Sequence, residues 1–397
     1  MKIVHICLIG TFTDGRNYQE NMLSKFHRQF GADVTVLTSR WIQCDNGKPH
    51  VLDTRDTYID DNGVKIIRLP MKGKEYLYKK IKRYKGVYET LEREAPDLVF
   101  IHGVASVEIA AVVKYLKKHP NVRSWADNHA DFSNSATNWL SRRILHGIIW
   151  KHYAKKLVPV VEKFYGVLPA RVDFLVDVYG LPREKCELLV MGADDDRVEA
   201  ARDPAVTAAV REEYGVAPDD FLIITGGKID AWKTQTLLLM EAVRDIPDPK
   251  VKLIVFGSVT PDLTPRVEAL ADGKKVQYIG WVQAMDTYRY FAASDLVVFP
   301  GRHSVFWEQV AAQGVPMLCK DWKGTHHVDV GGNVEFLTQD NSEEIKAAIL
   351  RLREDPAAYD AMKHAAETKG METFSYNKIA RRCIGMEDGS IPGTQAE

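Results

Sequence analysis

Short apolar runs recur along the chain, each followed by a polar or glycine-bearing turn and then by apolar residues at helical spacing. In the first half, Lys2 to Ile9, Asp33 to Thr38, Val64 to Leu69, Asp97 to His102 and Val122 to Asp127 read as strands. Tyr18 to Phe30, Lys79 to Arg93 and Val104 to His119 read as helices between them. Val172 to Tyr179, stopped by Gly180 and Pro182, is a further helix, and Cys186 to Val190 a strand. The second half repeats the alternation. Phe221 to Thr225, Val251 to Phe256, Val276 to Ile279 and Leu296 to Phe299 are strands, Thr234 to Arg244 and Met285 to Ala293 helices, and another helix opens near Val305. This order predicts an α/β fold with parallel sheets covered by helices. Residues 1–195 and 206–373 are expected to form two domains, joined by the acidic, alanine-rich run from Gly192 to Pro204.

The totals leave this picture standing and remove its competitors. A chain of 397 residues exceeds one ordinary core, which agrees with two domains. With 45% hydrophobic and 27% charged residues it is neither disordered nor fibrous. A net charge of −1 gives no global attraction to nucleic acid. Cys7, Cys44, Cys186, Cys319 and Cys383 are scattered and show no C-x-x-C spacing, which predicts a reducing, cytoplasmic setting and no metal site built on thiols. MKIVHICLIG turns polar without a small-residue cleavage pattern and reads as a first buried strand. No apolar run is long enough to span a bilayer. Two stretches, Lys72 to Lys85 and Trp139 to Val158, interleave basic residues with large apolar ones. Each is read either as a peripheral contact with an anionic membrane or as a solvated helix face.

Candidate chemistry gathers where strands end. In open α/β sheets the carboxyl ends of the strands form the ligand crevice. Gly10 and Gly15 lie in the loop after the first strand, which is not a G-x-G-x-x-G fingerprint and weighs against a nicotinamide enzyme. His129, in WADNHADF, follows another strand with Asp127 and Asp131 nearby, placed to orient a sugar or to cap the next helix. Asp194, Asp195 and Asp196 invite a metal reading, but they are expected in a linker rather than on a rigid sheet edge. Gly226-Gly227-Lys228 is not a Walker loop, yet its glycines allow backbone N–H groups to approach a diphosphate, with Lys228 and Lys233 flanking the helix that follows. Gly257 occupies the corresponding turn after the next strand. In FPGRHSVFWEQVAAQGVP, Glu308 falls in the first turns of a helix at a strand's carboxyl end.

These stretches resemble the retaining GT-B glycosyltransferases, specifically glycosyltransferase family 4, over nearly the whole chain. GGKIDAWKTQTLLLMEAV is similar to the family's donor-diphosphate segment, with Lys228 in the usual arginine position and Lys233 as its lysine. VFGS, YIGWV, YRYFAASDLVVFPG and WEQVAAQGVPML follow in the family's order. Glu308 fits the second of the family's paired glutamates, the one that holds the nucleotide ribose. The first is replaced by Pro300, which makes Arg302, His303 and Ser304 substitute donor contacts. The resemblance implies two Rossmann-like domains facing a cleft, the first (1–195) on the acceptor side, the second (206–373) binding the nucleotide sugar, and a segment 374–397 packing back on the first. It implies metal-independent transfer, without cofactor, from a nucleotide diphosphate sugar to a glycan or lipid-linked acceptor in cell-surface polysaccharide assembly. Lys228, Lys233 and His129 are then the catalytic residues. Gly10, Gly15, Gly227, Gly257, Arg302, His303, Ser304, Val305 and Glu308 contact the donor, the backbone N–H groups of Ser304 and Val305 assisting the lysines. A nucleotide-sugar epimerase and a non-catalytic binding protein of the same architecture are the alternatives.

Overall fold

A computed structural model describes residues 1–44, 49–53, 56–73 and 82–386. The chain divides into two units, Met1–Val190 with Ile379–Glu397, and Met191–Lys378. The first is built on β1 (Lys2–Cys7), β2 (Asp33–Ser39), the short β3 (Trp41–Gln43), β4 (Pro49–Val51) and β5 (Thr57–Ile59), then β6 (Lys65–Leu69), β7 (Leu98–His102), β8 (Arg123–Asn128), β9 (Lys163–Gly166) and β10 (Cys186–Leu188). Its sheet runs β10-β9-β8-β7-β1-β2-β6-β5, parallel except for the β5 edge, while β3 and β4 pair separately. The second unit holds β11 (Phe221–Gly226), β12 (Val251–Phe256), β13 (Val276–Tyr278), β14 (Leu296–Phe299), β15 (Met317–Lys320) and β16 (Val334–Leu337) in the order β13-β12-β11-β14-β15-β16, all parallel. The central strands read as continuous apolar runs because helices cover both faces, so side chains on either side are buried.

The predicted strands and helices are present, with differences that have physical causes. The helix expected over 104–119 runs only over Ile109–Lys118, because Gly103, at φ +89°, and a turn through Ser106 delay it. Of the helix expected over 79–93, Val87–Glu94 forms, and residues 79–81 lie outside the described residues, as does most of the Lys72 to Lys85 stretch. The strand Lys163–Gly166 was not expected; its apolar portion is too short to stand out. The supposed linker contains a helix, Asp195–Ala201, and Asp195 accepts from Ser375 Oγ and from the N–H of Asn377 at 2.8 Å. That aspartate therefore has a structural occupation. Trp139 to Val158 lies on a helical stretch whose part Ser141–Trp150 is a π-helix. Gly147 permits the wide turn, since a Cβ there would lie 3.0 Å from the Arg142 carbonyl five residues back. No helix among the described residues is long and apolar enough to cross a membrane.

The loops after β11 and β12 are packed backbone to backbone. Gly257 has φ +131°, and a Cβ on it would fall 1.9 Å from the Gly227 carbonyl oxygen. Gly257→Ala is therefore expected to destabilise the second unit by roughly 2 kcal/mol or more, from both strain and overlap. Thermal unfolding by circular dichroism checks this; an unchanged midpoint would refute the close packing of the two turns.

Candidate functional site

Because all six strands of the second sheet are parallel, the loops after β11, β12, β14 and β15 emerge at one edge. Lys228 follows β11 directly. It is 58% exposed and lies 3.3 Å from Asp230, which partly neutralises it. Lys233, further along the same loop, is half-buried. Burial pushes its amine below the usual lysine value, Asp230 opposes this, and the positive charges of Arg302 and Lys228 push the same way as burial. Three cations thus share one region with a single nearby acid. Arg302, in the loop after the neighbouring strand β14, stands with its guanidinium 4.8 Å from the ring centre of Trp232 and 5.9 Å from that of Trp322. Trp322 Nε1 donates to the Gly301 carbonyl at 3.3 Å, tying the β15 loop to the β14 loop.

Glu308, on the helix Phe306–Ala312, is fully buried. Its Oε1 accepts from His303 Nε2 at 2.8 Å and from His327 Nε2 at 2.9 Å. Burial alone would raise its pKa; the two imidazoles outweigh that and hold it well below the usual glutamate range. Its second oxygen, Oε2, has no hydrogen-bond partner among the described residues. A buried acceptor of this kind fits a hydroxyl donor. The same three side chains have the composition of a divalent-ion site. However, a ligating histidine normally donates its other ring N–H to an acceptor, and His327 Nδ1 has no partner. The set fits a carboxylate braced by two imidazoles better than a metal cage.

His129, Gly10 and Gly15 belong to the first unit. Gly10 and Gly15 lie in the exposed loop after β1, Gly15 at φ +71°. His129 follows β8, is 38% exposed, and has Nε2 3.4 Å from Asp127 Oδ2. Burial lowers its pKa, but the Asp127 charge prevails and the net direction is up. Asp127 is fully buried. It accepts from His102 Nδ1 at 2.6 Å and from the Gly103 N–H at 2.9 Å. Asp131 instead holds Ser133 and, at 3.0 Å, Arg171, so it shapes its own loop.

Of the residues singled out in the sequence, the structure brings Lys228, Lys233 and Arg302 together as one cluster and His303 with Glu308 as another, on adjacent strands of one sheet. Gly227 and Gly257 form the turn contact, and Ser304 and Val305 lead into the Glu308 helix. His303 points its Nε2 at Glu308. His327, Trp232 and Trp322 were missed. The His326-His327 pair after a strand was the available signal for the first, and the two indoles carried none beyond their exposure.

Comparison with known proteins follows this geometry. Residues 220–355, within the second unit, match the family described as Glycosyl transferases group 1. The chain is 21% identical to the mannosylfructose-phosphate synthase of Agrobacterium fabrum, over 83% of this chain and 78% of that one. The structure of HepE from Anabaena in complex with UDP superposes with a TM-score of 0.66 at 16% identity, covering 98% of this chain and 100% of the other. The UDP-GlcNAc 2-epimerase of Neisseria meningitidis, bound to UDP-GlcNAc, gives 0.63 at 12% identity over 98% and 100%.

The Glu308 arrangement predicts an acid dependence with a definite sign. A depressed folded pKa contributes stability that is present above the ordinary glutamate value of 4.5 and is lost as pH falls toward the folded value. Glu308→Gln should flatten the fall in unfolding free energy below that value, followed by denaturant melts at a series of pH values; an unaltered slope would contradict the buried, hydrogen-bonded carboxylate. The α/β units, their parallel sheets and the structural likeness show a chain of GT-B fold, whose residues 220–355 match the family described as Glycosyl transferases group 1.

Proposed function

We propose that this chain is a retaining, family 4-type glycosyltransferase that moves a sugar from a nucleotide diphosphate sugar to a glycan or lipid-linked acceptor in cell-surface polysaccharide assembly. The observation that carries the reading is the edge of the second sheet: a half-buried Lys233 beside Arg302 and Lys228, one strand from a buried Glu308 with an unpartnered oxygen. A departing nucleotide diphosphate gains negative charge as the glycosidic bond breaks, and fixed cations stabilise that charge without a metal. Lys233 and Arg302 supply it, with Lys228 partly offset by Asp230. Glu308 Oε2 accepts from a ribose hydroxyl, while His303 and His327 keep it ionised. At Gly227 a Cβ would meet nothing within 4 Å, which leaves room for phosphate oxygens beside its backbone. Attack from the leaving-group face then needs no pair of carboxylates at the sugar. His129, at the carboxyl end of β8, contacts the sugar.

Titrating UDP, GDP and ADP calorimetrically tests donor binding, and no binding of any of them would overturn the reading. Conversion of a nucleotide sugar to its epimer without an acceptor, seen by NMR, would replace transferase with epimerase. Lys233→Ala should lower kcat by about 2 to 4 kcal/mol equivalent, as loss of a preorganised charge donor does. Lys228→Ala should cost clearly less, because its charge is shared with Asp230. Equal effects in steady-state kinetics would contradict this division of labour.

The reading extends to a peripheral seat on an anionic membrane at the cytoplasmic face. What supports it is the helix after β8, which exposes Trp139 (70%), Leu140, Ile144, Ile148 (63%) and Ile149. Between positions 139 and 161 the chain has no Asp or Glu but has Arg142, Arg143, Lys151, Lys155 and Lys156. Each basic residue near the headgroups contributes about 1 kcal/mol. Trp139→Ser with Ile148→Ser should reduce flotation with phosphatidylserine vesicles at low salt several-fold; unchanged flotation would return this face to solvent.

A further inference from the structure

Inside the first unit, three imidazoles are linked end to end in a column between a carboxylate and a helix end. His102 Nδ1 meets Asp127 Oδ2 at 2.6 Å, His102 Nε2 meets His5 Nδ1 at 2.9 Å, His5 Nε2 meets His27 Nδ1 at 3.1 Å, and His27 Nε2 meets the Ala380 carbonyl at 3.1 Å. The rings lie 5.2 Å apart on either side of His5, and all three are buried. Both ends of the column, a carboxylate and a carbonyl, only accept. Each of these four contacts therefore needs one hydrogen, while three neutral imidazoles bring three. The column is one proton short unless it binds one.

The Cys383 thiol donates to the Ala380 oxygen at 3.3 Å and also lies 3.4 Å from His27 Nε2; turned to that nitrogen, it is the other donor at that end. If it donated there, the His27 lone pair would face the Ala380 oxygen at 3.1 Å, near the negative end of the helix Tyr376–Cys383. A helix end favours a donor. Ala380 thus sets the direction: His27 Nε2–H donates to it, His5 Nε2–H to His27, His102 Nε2–H to His5, and His102 Nδ1–H to Asp127. Burial pushes His5 and His27 down, His27 to about 4, which keeps those two neutral. The charge then rests beside Asp127.

We propose that His102 carries both ring protons, that His5 and His27 are neutral Nε2–H tautomers, and that this column, rather than His129, is the standing counter-charge of Asp127. The distances agree, since Asp127 Oδ2 is 2.6 Å from His102 and 3.4 Å from His129. His102 is a positioning residue: by satisfying Asp127 it lessens the upward pull of that carboxylate on the half-exposed His129. The other titratable or charged groups facing this region are Glu20 on the helix Gln19–Gln29, Cys7 on β1, Arg171 on the helix Pro169–Asp177, and Cys383 with Arg382 on the last helix. None supplies a cation nearer to Asp127 than His102. Only the role of His129 in sugar transfer rests on the glycosyltransferase reading; the proton column is a property of the ligand-free chain.

Imidazole 15N–1H correlation spectra of the whole histidine-labelled protein across neutral pH test it. Two protonated nitrogens on His102 and Nε2–H on His5 and His27 are expected; Nδ1–H on His5 and His27, or a neutral His102, would overturn the column. Cys383→Ala should leave the pattern intact, and a reversal of tautomers would make the thiol the donor and overturn it. In His102→Gln, Asp127 keeps the Gly103 N–H but only His129 as a counter-charge, and the His129 titration midpoint should rise by about one pH unit; no rise would overturn the counter-charge assignment. Should that variant not fold, the unsubstituted protein's spectra decide alone. Failure of nucleotide binding would leave these spectra unaffected, so the two readings fail separately.

Discussion

A carboxylate taken out of water must be paired or protonated, and both units of this chain are arranged around that constraint. Glu308 and Asp127 are each fully buried, each at or near the carboxyl end of a central parallel strand, and each approached by two histidines. Neither could stay ionised without those rings. The consequence differs between the units. Around Glu308 both imidazoles bond one oxygen and leave the other as an acceptor. Around Asp127 one imidazole is bonded tightly and the other loosely, the second being half-exposed and still drawn upward in pKa by the shared carboxylate.

The sheets explain why the chemistry sits where it does. Parallel strands covered by helices on both faces leave their carboxyl-end loops as a crevice where polar groups from several strands converge. In the second unit, β11, β14 and β15 are consecutive in the sheet though far apart in sequence, and their loops bring Lys233, Arg302 and Trp322 together. The guanidinium held between two indoles is an economical way to fix a cation on an exposed loop, because the aromatic faces restrict it without neutralising it.

The glycine turn at Gly227 and Gly257 and the π-helix at Gly147 show the same logic in the backbone. Each is a place where a Cβ would meet a carbonyl. In the first case the result is a tight pair of loops beside the cation cluster. In the second it is a widened helix whose apolar side chains are turned outward, on a stretch without acidic residues.

The strand-helix alternation was legible because period-two and period-3.6 patterns are local, and so were the positions of Lys228 and Lys233 after one strand and of Glu308 in the helix after another. Short or half-apolar strands such as Lys163–Gly166 were not, since their formation depends on neighbours already in the sheet. Nor could the sequence show that Asp230 would take up part of the Lys228 charge, or that His327 would close on Glu308 from nineteen positions away. His5, His27, His102 and Ala380 are spread over almost the whole chain and carry no shared motif. Local spacing determined the elements and the functional edge of each sheet; hydrogen bonding between distant residues, which only folding brings within about 3 Å of each other, decided which charges are free, which are paired and where a proton must be held.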